Sequence, residues 1–156
     1  TTAASMRPWI ATVSVAIFAM MALAIGPFVV RMADSGPVQA DTGSLWQAWA
    51  PGKVEQHLAQ GQPVFVDFTA AWCVTCQFVK KTTLADAQVL ADFKQRQVVL
   101  LRADWTRRDP AITSALAQLG RSGVPVYVLH TKKDSPPMVL SELPGVEEVR
   151  LALSRL

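Results

Sequence analysis

The two cysteines of this chain, Cys73 and Cys76, constrain it most, because they are its only cysteines and two residues separate them. Residues 64–69 form a short apolar run rich in β-branched and aromatic side chains, which predicts a buried strand. Residues 77–81 contain no Gly or Pro and predict a helix. The thiols should therefore lie where a strand passes into the first turn of a helix. Unpaired backbone N–H groups and the helix dipole stabilise a thiolate at that place.

Other roles for a cysteine pair are less well matched by the sequence. A structural bridge that closes so short a loop stabilises little. A zinc site needs about four ligands, and His57 and His130 are the only obvious further candidates. A c-type haem would need His at the position of Gln77, whereas Cu(I) could be held by the two thiolates alone. The strand-to-helix placement favours a redox pair, with metal binding as the alternative.

An uncharged apolar stretch, residues 8–30, lies near the start of the chain between Arg7 and Arg31. Its length is about what a helix needs to span a bilayer. A cleaved signal peptide is the rival, because Val-Gln-Ala at 38–40 resembles a cleavage site, but the run exceeds the usual ~7–15 residues of a signal core. We predict a transmembrane helix within residues 1–33 and a linker over 34–44. One arginine on each side leaves the orientation undetermined, and the first residue, Thr1, leads us to expect a piece of a longer protein.

The remaining residues, 45–156, predict one α/β domain. Helices and strands alternate, and two strands then follow closely before a last helix, which implies a parallel core with an antiparallel addition. We expect a mixed four-stranded sheet flanked by helices, with strands at 64–69, 98 to about 104, 125–129 and 138–140. The tryptophans of the amphipathic segment 45–49 should pack on the domain, with the membrane interface as the alternative. The net charge of +3 and the absence of a basic run with interleaved aromatics argue against nucleic acid.

Two motifs in this region resemble the thioredoxin fold. Residues 66–76, Val-Asp-Phe-Thr-Ala-Ala-Trp-Cys-Val-Thr-Cys, resemble its buried Asp followed by Trp-Cys-x-x-Cys. Residues 122–125, Ser-Gly-Val-Pro, resemble the loop whose proline is cis and faces the cysteines. The order of the predicted elements also fits, so the resemblance covers residues 45–156.

A closer resemblance is to the C-terminal domain of the DsbD-type membrane thiol:disulfide interchange proteins. It is carried by residues 72–76, by Arg-Ala-Asp-Trp-Thr at 102–106, by residues 120–125 and by the preceding apolar stretch. The resemblance implies a periplasmic domain tethered to the inner membrane. Such a domain takes electrons from an upstream membrane domain, passes them to disulfides of extracytoplasmic proteins, and needs no cofactor or metal. One departure is Lys80, where some members of that family have an acidic residue.

The predicted helix assigns different roles to the two cysteines. Cys73, at the helix N-terminus, should be the more exposed and attack a substrate disulfide; Cys76, one turn inward, should then resolve the mixed disulfide. Asp67 lies on the strand before them. If it is buried, its pKa rises and it can take the proton from Cys76; the alternative is that it points to solvent.

Three further residues are predicted to bind substrate. Pro125 would shape the groove, unless it is an ordinary trans proline that opens a strand. Val124 would offer backbone hydrogen bonds to an extended peptide. Trp72 would lie beside the thiols as a lid or pack as a core aromatic. His57 and His130 are expected to be ordinary surface or strand-end histidines.

Overall fold

A computed structural model describes residues 20–21, 45–132 and 134–156. The chain divides into two units, residues 1–39 and 40–156, and the sheet with its helices forms the second unit. In the described ranges, no helix is both long enough and apolar enough to cross a membrane. The predicted transmembrane helix, apart from residues 20–21, and the predicted linker lie outside these ranges.

The second unit is built on a mixed sheet. Its strands lie in the order β1-β3-β2-β4-β5, so β2 is central. β1 and β2 both run parallel to β3, whereas β4 is antiparallel to β2 and β5 is antiparallel to β4. The strands are β1 (Trp46–Ala48), β2 (Val64–Thr69), β3 (Val99–Asp104), β4 (Val126–His130) and β5 (Met138–Val139). The prediction of a mixed sheet with a parallel core and an antiparallel addition is confirmed.

The strand count differs from the prediction, because β1 makes the sheet five-stranded rather than four-stranded. β1 has three residues, too few to show the alternation that identifies a strand in a sequence. Tertiary contacts fix it instead: the ring of Trp46 packs edge-on against Phe65 at 6.2 Å and Phe93 at 6.5 Å. This packing holds the segment against β3, where Trp46 pairs with Leu100.

Helices cover both faces of the sheet. One core cluster combines Phe65 of β2 with α2, α3 and α5, and the other combines Val64, Val66 and Phe68 with α1 and α4. Trp46 packs on the first cluster and Trp49 on the second, so both tryptophans pack on the domain as predicted. The helices are α1 (Lys53–Ala59), α2 (Val74–Lys81), α3 (Ala87–Gln95), α4 (Pro110–Gln118) and α5 (Val146–Leu153).

The helix starts follow local sequence signals. Asp86 caps α3 by accepting hydrogen bonds from the backbone N–H groups of Gln88 and Val89. Asp109 caps α4 in the same way, with Pro110 at the first position, where no N–H donor is needed. α2 has a cysteine, Cys73, as its N-cap residue instead.

Candidate active site

The cysteine pair lies at the start of α2, directly after the central strand. Cys73 is the N-cap residue of α2 and forms a disulfide with Cys76, with 5.3 Å between their Cα atoms. The backbone N–H of Cys76 donates to Cys73 Sγ at 3.1 Å, a contact that favours negative charge on this sulfur. Cys73 is 7% exposed and Cys76 is fully buried. Cys73 is therefore the more exposed of the two cysteines.

Asp67 lies on β2 and is fully buried, which excludes the alternative that it points to solvent. Strand alternation puts its side chain on the face of Phe65, and Phe65 shares a core cluster with Val79 of α2, so Asp67 lies beneath this helix. Its Oδ2 accepts a hydrogen bond from Arg102 Nε at 3.1 Å, whereas Oδ1 has no hydrogen-bond partner among the described residues. Burial raises the pKa of Asp67, although the charges of Lys80 and Arg102 oppose the rise.

Lys80 brings a positive charge into the surroundings of Asp67. It is half-buried on α2, and burial lowers the pKa of its ammonium group while the charge of Asp67 opposes that change. A cation on α2 therefore acts on the buried carboxyl of Asp67. The positive charges of Lys80 and Arg102 lower the pKa of Asp67, and they therefore offset part of the rise that burial causes.

Other buried polar groups surround Asp67, and we call Asp67, Thr69 and Tyr127 the floor of the site. Tyr127 pairs directly with Asp67 across β2 and β4, and all three residues are at most 1% exposed. Tyr127 Oη and Thr69 Oγ1 lack hydrogen-bond partners in the part of the chain that the structure describes. Burial, and then the charge of Asp67, raise the pKa of Tyr127. The sequence prediction missed Thr69 and Tyr127, since a single Thr or Tyr in a strand is ordinary.

Trp72 is held beside the cysteines by the loop after β3. Its indole Nε1 donates to the carbonyl of Thr106 at 3.2 Å, and Thr106 Oγ1 accepts from the N–H of Ala71 at 2.8 Å. The Trp72 ring lies 6.1 Å from that of Trp105, and the guanidinium of Arg108 lies 5.9 Å from the Trp72 ring. Trp72 is nevertheless 52% exposed, so it is a surface aromatic next to Cys73 rather than a core residue.

The roles of Thr106 and Arg108 were not predicted, because their contacts join segments about 35 residues apart. One signal was available. Residues 102–106 span the end of the second predicted strand and form one of the motifs on which the DsbD-type resemblance rests. A polar motif at the end of a buried strand is well placed to contact the site at the end of a neighbouring parallel strand.

The loop before β4 carries Val124 and Pro125, the two remaining predicted substrate-binding residues. The peptide bond between them is cis, which excludes the trans alternative, and both residues are half-buried. Val124 packs against the small cluster of Ala70, Cys73 and Cys76. A cavity of about 290 Å³ is lined by residues 120–126 together with Glu142. Val124 in this loop thus contacts the cysteines, and the loop itself lines the cavity.

The histidines lie in ordinary surroundings. Nδ1 of His57 is 2.9 Å from Oε1 of Gln62, and His130 is the last residue of β4. Over residues 20–21, 45–132 and 134–156, the structure contains no group of three or more His, Cys, Asp or Glu side chains arranged to hold a metal ion. The two cysteines are joined to each other in this structure.

Comparison with known proteins agrees with this geometry. A family model described as thioredoxin-like matches residues 45–132, more than half of the chain. The chain is 30% identical over 126 residues to the thiol:disulfide interchange protein DsbD of Klebsiella pneumoniae, which covers 78% of this chain and 21% of that protein. It spans about a fifth or less of the first relatives it matches.

Solved structures show the same fold. The C-terminal domain of Neisseria meningitidis DsbD in the reduced form superimposes with a TM-score of 0.56 at 17% identity, over 70% of this chain and 98% of that one. A thioredoxin from Thermus thermophilus gives a TM-score of 0.57 at 20% identity, over 70% of this chain and 84% of that one. The fold, the thioredoxin-like family model and the DsbD relatives, together with the Cys73–Cys76 disulfide, support a thiol:disulfide oxidoreductase. The chain therefore belongs to the thioredoxin-like family.

Proposed function

We propose that this chain is a membrane-tethered reductase of protein disulfides. The observation that carries the proposal is the disulfide of Cys73 and Cys76 at the N-terminus of α2, together with the buried carboxyl of Asp67 on the preceding strand. Metal binding explains neither the burial of that carboxyl nor the disulfide. The names of the curated relatives, thiol:disulfide interchange proteins, support the same chemistry.

In the reduced protein, the Cys73 thiolate attacks one sulfur of a substrate disulfide. A Cys73–substrate bond forms, the substrate disulfide breaks, and the departing substrate sulfur takes up a proton. The N–H of Cys76 that contacts Cys73 Sγ supports the attacking thiolate. The intermediate is a mixed disulfide, and Trp72, Val124 and Pro125 bind the substrate segment around it.

Resolution of the mixed disulfide uses the second cysteine. The Cys76 thiol gives its proton to the Asp67 carboxylate, and the resulting thiolate attacks Cys73 Sγ. The mixed disulfide breaks and the second substrate sulfur leaves, taking up a proton. Two electrons and two protons have then passed to the substrate, and the chain holds the Cys73–Cys76 disulfide of this structure. The raised pKa of Asp67 suits it to accept this proton.

A new cycle requires a reductant, and we propose that it is a dithiol of a membrane domain upstream in the protein. The uncharged stretch at residues 8–30 supports tethering to the inner membrane, with the thioredoxin-like domain on the periplasmic side. Tethering keeps the domain at high effective concentration beside such a donor. The pair would then be largely reduced in an otherwise oxidising compartment, and extracytoplasmic protein disulfides would be the acceptors.

Thiol trapping in intact cells tests this proposal. Alkylation with a mass tag, followed by a gel shift, should find Cys73 and Cys76 mostly reduced, and mostly oxidised after the membrane electron donor is removed. A pair that is mostly oxidised in the intact strain would contradict the relay, as would one that stays reduced without the donor. Titration of the reduced chain with Cu(I) and Zn(II), beside an insulin-reduction assay, separates exchange from metal binding.

A further inference from the structure

The outward face of α2 is apolar where a surface helix normally carries polar residues. Val74 and Phe78 are four residues apart, so they share one face of the helix, and they are 83% and 55% exposed. Trp72, on the other side of Cys73, is 52% exposed. We call Trp72, Val74 and Phe78 the rim of the site. Three exposed apolar side chains within seven residues, around a reactive sulfur, form more than the scattered surface hydrophobes of an ordinary domain.

Positive charge borders this rim. Lys81 follows Phe78 by three residues on the same face of α2, and α2 has no acidic residue in its first turn. No acidic residue occurs in the sequence between Asp67 and Asp86. On the Trp72 side, the guanidinium of Arg108 lies 5.9 Å from the Trp72 ring. The rim is therefore an apolar surface between two cations, Lys81 and Arg108.

Disulfide exchange brings a partner protein onto this surface. The partner sulfur must reach bonding distance of Cys73 Sγ, and Cys73 is only 7% exposed, so the partner must approach the neighbouring side chains closely. Even a small transient interface covers roughly 600 Å² on each protein, a patch of about 14 Å radius. Phe78 is one helical turn from Val74, and Lys81 lies about 10 Å from Val74 along the axis. Both fall within such a patch.

We propose that the outward face of α2 selects the partner, and that it fits proteins whose reactive cysteine is flanked by apolar side chains and carboxylates. The inference rests on the proposed exchange function and adds the chemistry of the partner. Apolar contact with Val74 and Phe78 provides affinity, and attraction to Lys81 and Arg108 favours acidic partners and repels basic ones.

Phe78 is the residue with which to test the apolar contact. Val74 lies between the cysteines, so its replacement would also alter the exchange chemistry, whereas Phe78 is outside the Cys-x-x-Cys segment. Leu151 on α5 is 60% exposed, close to the 55% of Phe78, and provides a matched control. Phe78→Ser and Leu151→Ser both replace an exposed apolar side chain, so neither should impair folding; circular dichroism checks this.

The probes are three disulfides offered to the reduced 156-residue chain in single-turnover mixtures. Two are symmetric peptide disulfides with Leu beside the cysteine and either two Asp or two Lys further out. The third, hydroxyethyl disulfide, is too small to cover the rim and reports exchange chemistry alone. We expect Phe78→Ser to lower the ratio of the Asp-peptide rate constant to the hydroxyethyl disulfide rate constant about 10-fold. Leu151→Ser should leave this ratio within about two-fold of the parent.

The charge preference is tested with the same probes. The parent chain should prefer the Asp peptide over the Lys peptide by about 10-fold at low ionic strength, and this preference should shrink with added salt. At low ionic strength, Lys81→Glu should also reduce the preference for the Asp peptide, because an anion replaces one of the two cations. Equal rates for the two peptides, or an unchanged ratio in Phe78→Ser while hydroxyethyl disulfide is still reduced, would overturn the inference and leave the proposed function intact. Failure to reduce any of the three disulfides would overturn the proposed function and the inference with it.

Discussion

Beneath α2, the three buried residues of the floor carry polar groups, whereas the three exposed residues of the rim are apolar. Each set reverses the usual distribution, in which buried positions are apolar and exposed positions are polar. Asp67 is fully buried, and one of its carboxylate oxygens has no hydrogen-bond partner among the described residues, whereas Val74 is 83% exposed. Both arrangements cost stability or solubility. Under the proposed function, the two exceptions serve different purposes: proton transfer on the buried side of the sulfurs and partner contact on the exposed side.

The largest expected effect comes from the sulfurs that separate floor from rim. Cys73→Ser should lower disulfide reduction by roughly three orders of magnitude or more, because the attacking atom is lost. Cys76→Ser should instead accumulate mixed disulfides, because the attack still occurs and resolution does not. Non-reducing gels and mass spectrometry of the trapped species distinguish these outcomes. Normal turnover by the Cys76 variant would contradict its resolving role.

The floor is tested next by Asp67→Asn, which keeps the shape of the side chain and removes its proton-accepting charge. Resolution should slow on the order of 100-fold, a usual size for loss of a general base, and the initial attack should slow less. Stopped-flow mixing would show this as accumulated mixed disulfide. Asp134→Asn, an exposed Asp between β4 and β5, is the control and should behave as the parent. Equal slowing of both steps would argue that Asp67 is only structural.

The same variant should reveal the cost of the floor to stability. Because burial raises the pKa of Asp67 above 3.8, its contribution to stability is fully present below that pH and is lost as the pH rises through the folded-state value. Asn does not ionise, and the Arg102 side chain, which is 32% exposed beside Asp67, is already in contact with water. Asp67→Asn should therefore gain stability relative to the parent as the pH rises above 3.8, because it has no carboxyl whose charge must be buried.

Urea unfolding of the oxidised proteins between pH 4 and pH 8 measures this difference. The gap between parent and variant should narrow as the pH falls toward 3.8, the ordinary value for Asp67. If the difference in unfolding free energy between the parent and Asp67→Asn did not change with pH, ionisation of Asp67 would not be its cause.

Much of the fold could be predicted because its signals are local. The strand at 64–69 and the caps Asp86 and Asp109 occur where the sequence pattern indicates. β1 could not be predicted, because three residues are too few to show the alternation of a strand. Its position depends on contacts of Trp46 with Phe65 and Phe93, which are distant in sequence. In the site, the cysteines and Asp67 were found from their spacing and strand position. Tyr127 and Thr106 were missed, because only the register of β4 and the loop after β3 bring them there.

The smallest expected effect concerns the support of the rim. The hydroxyl of Thr106 accepts a hydrogen bond from Ala71 N–H at 2.8 Å and donates one to Asp104 Oδ1. The carbonyl of Thr106 accepts a hydrogen bond from the indole N–H of Trp72. Thr106→Val keeps the shape and removes the hydroxyl, so stability should fall by about 1 kcal/mol, the net worth of a typical hydrogen bond. Trp72 should become more mobile, since the segment before it loses its anchor while the bond to the Thr106 carbonyl remains.

Time-resolved fluorescence anisotropy measures this mobility, compared with a Trp72→Phe variant that identifies the signal of that indole among the five tryptophans. Thr106→Ser restores the hydroxyl and should match the parent in stability and anisotropy. The rate constant with a peptide disulfide should fall two- to five-fold in Thr106→Val, because a looser Trp72 loses more freedom when the partner covers the rim. Hydroxyethyl disulfide, which leaves the rim uncovered, should be reduced at nearly the parent rate. If Thr106→Val slowed reduction of both disulfides equally, Thr106 would act on the exchange chemistry of the sulfurs. Its role would then not be to support the rim.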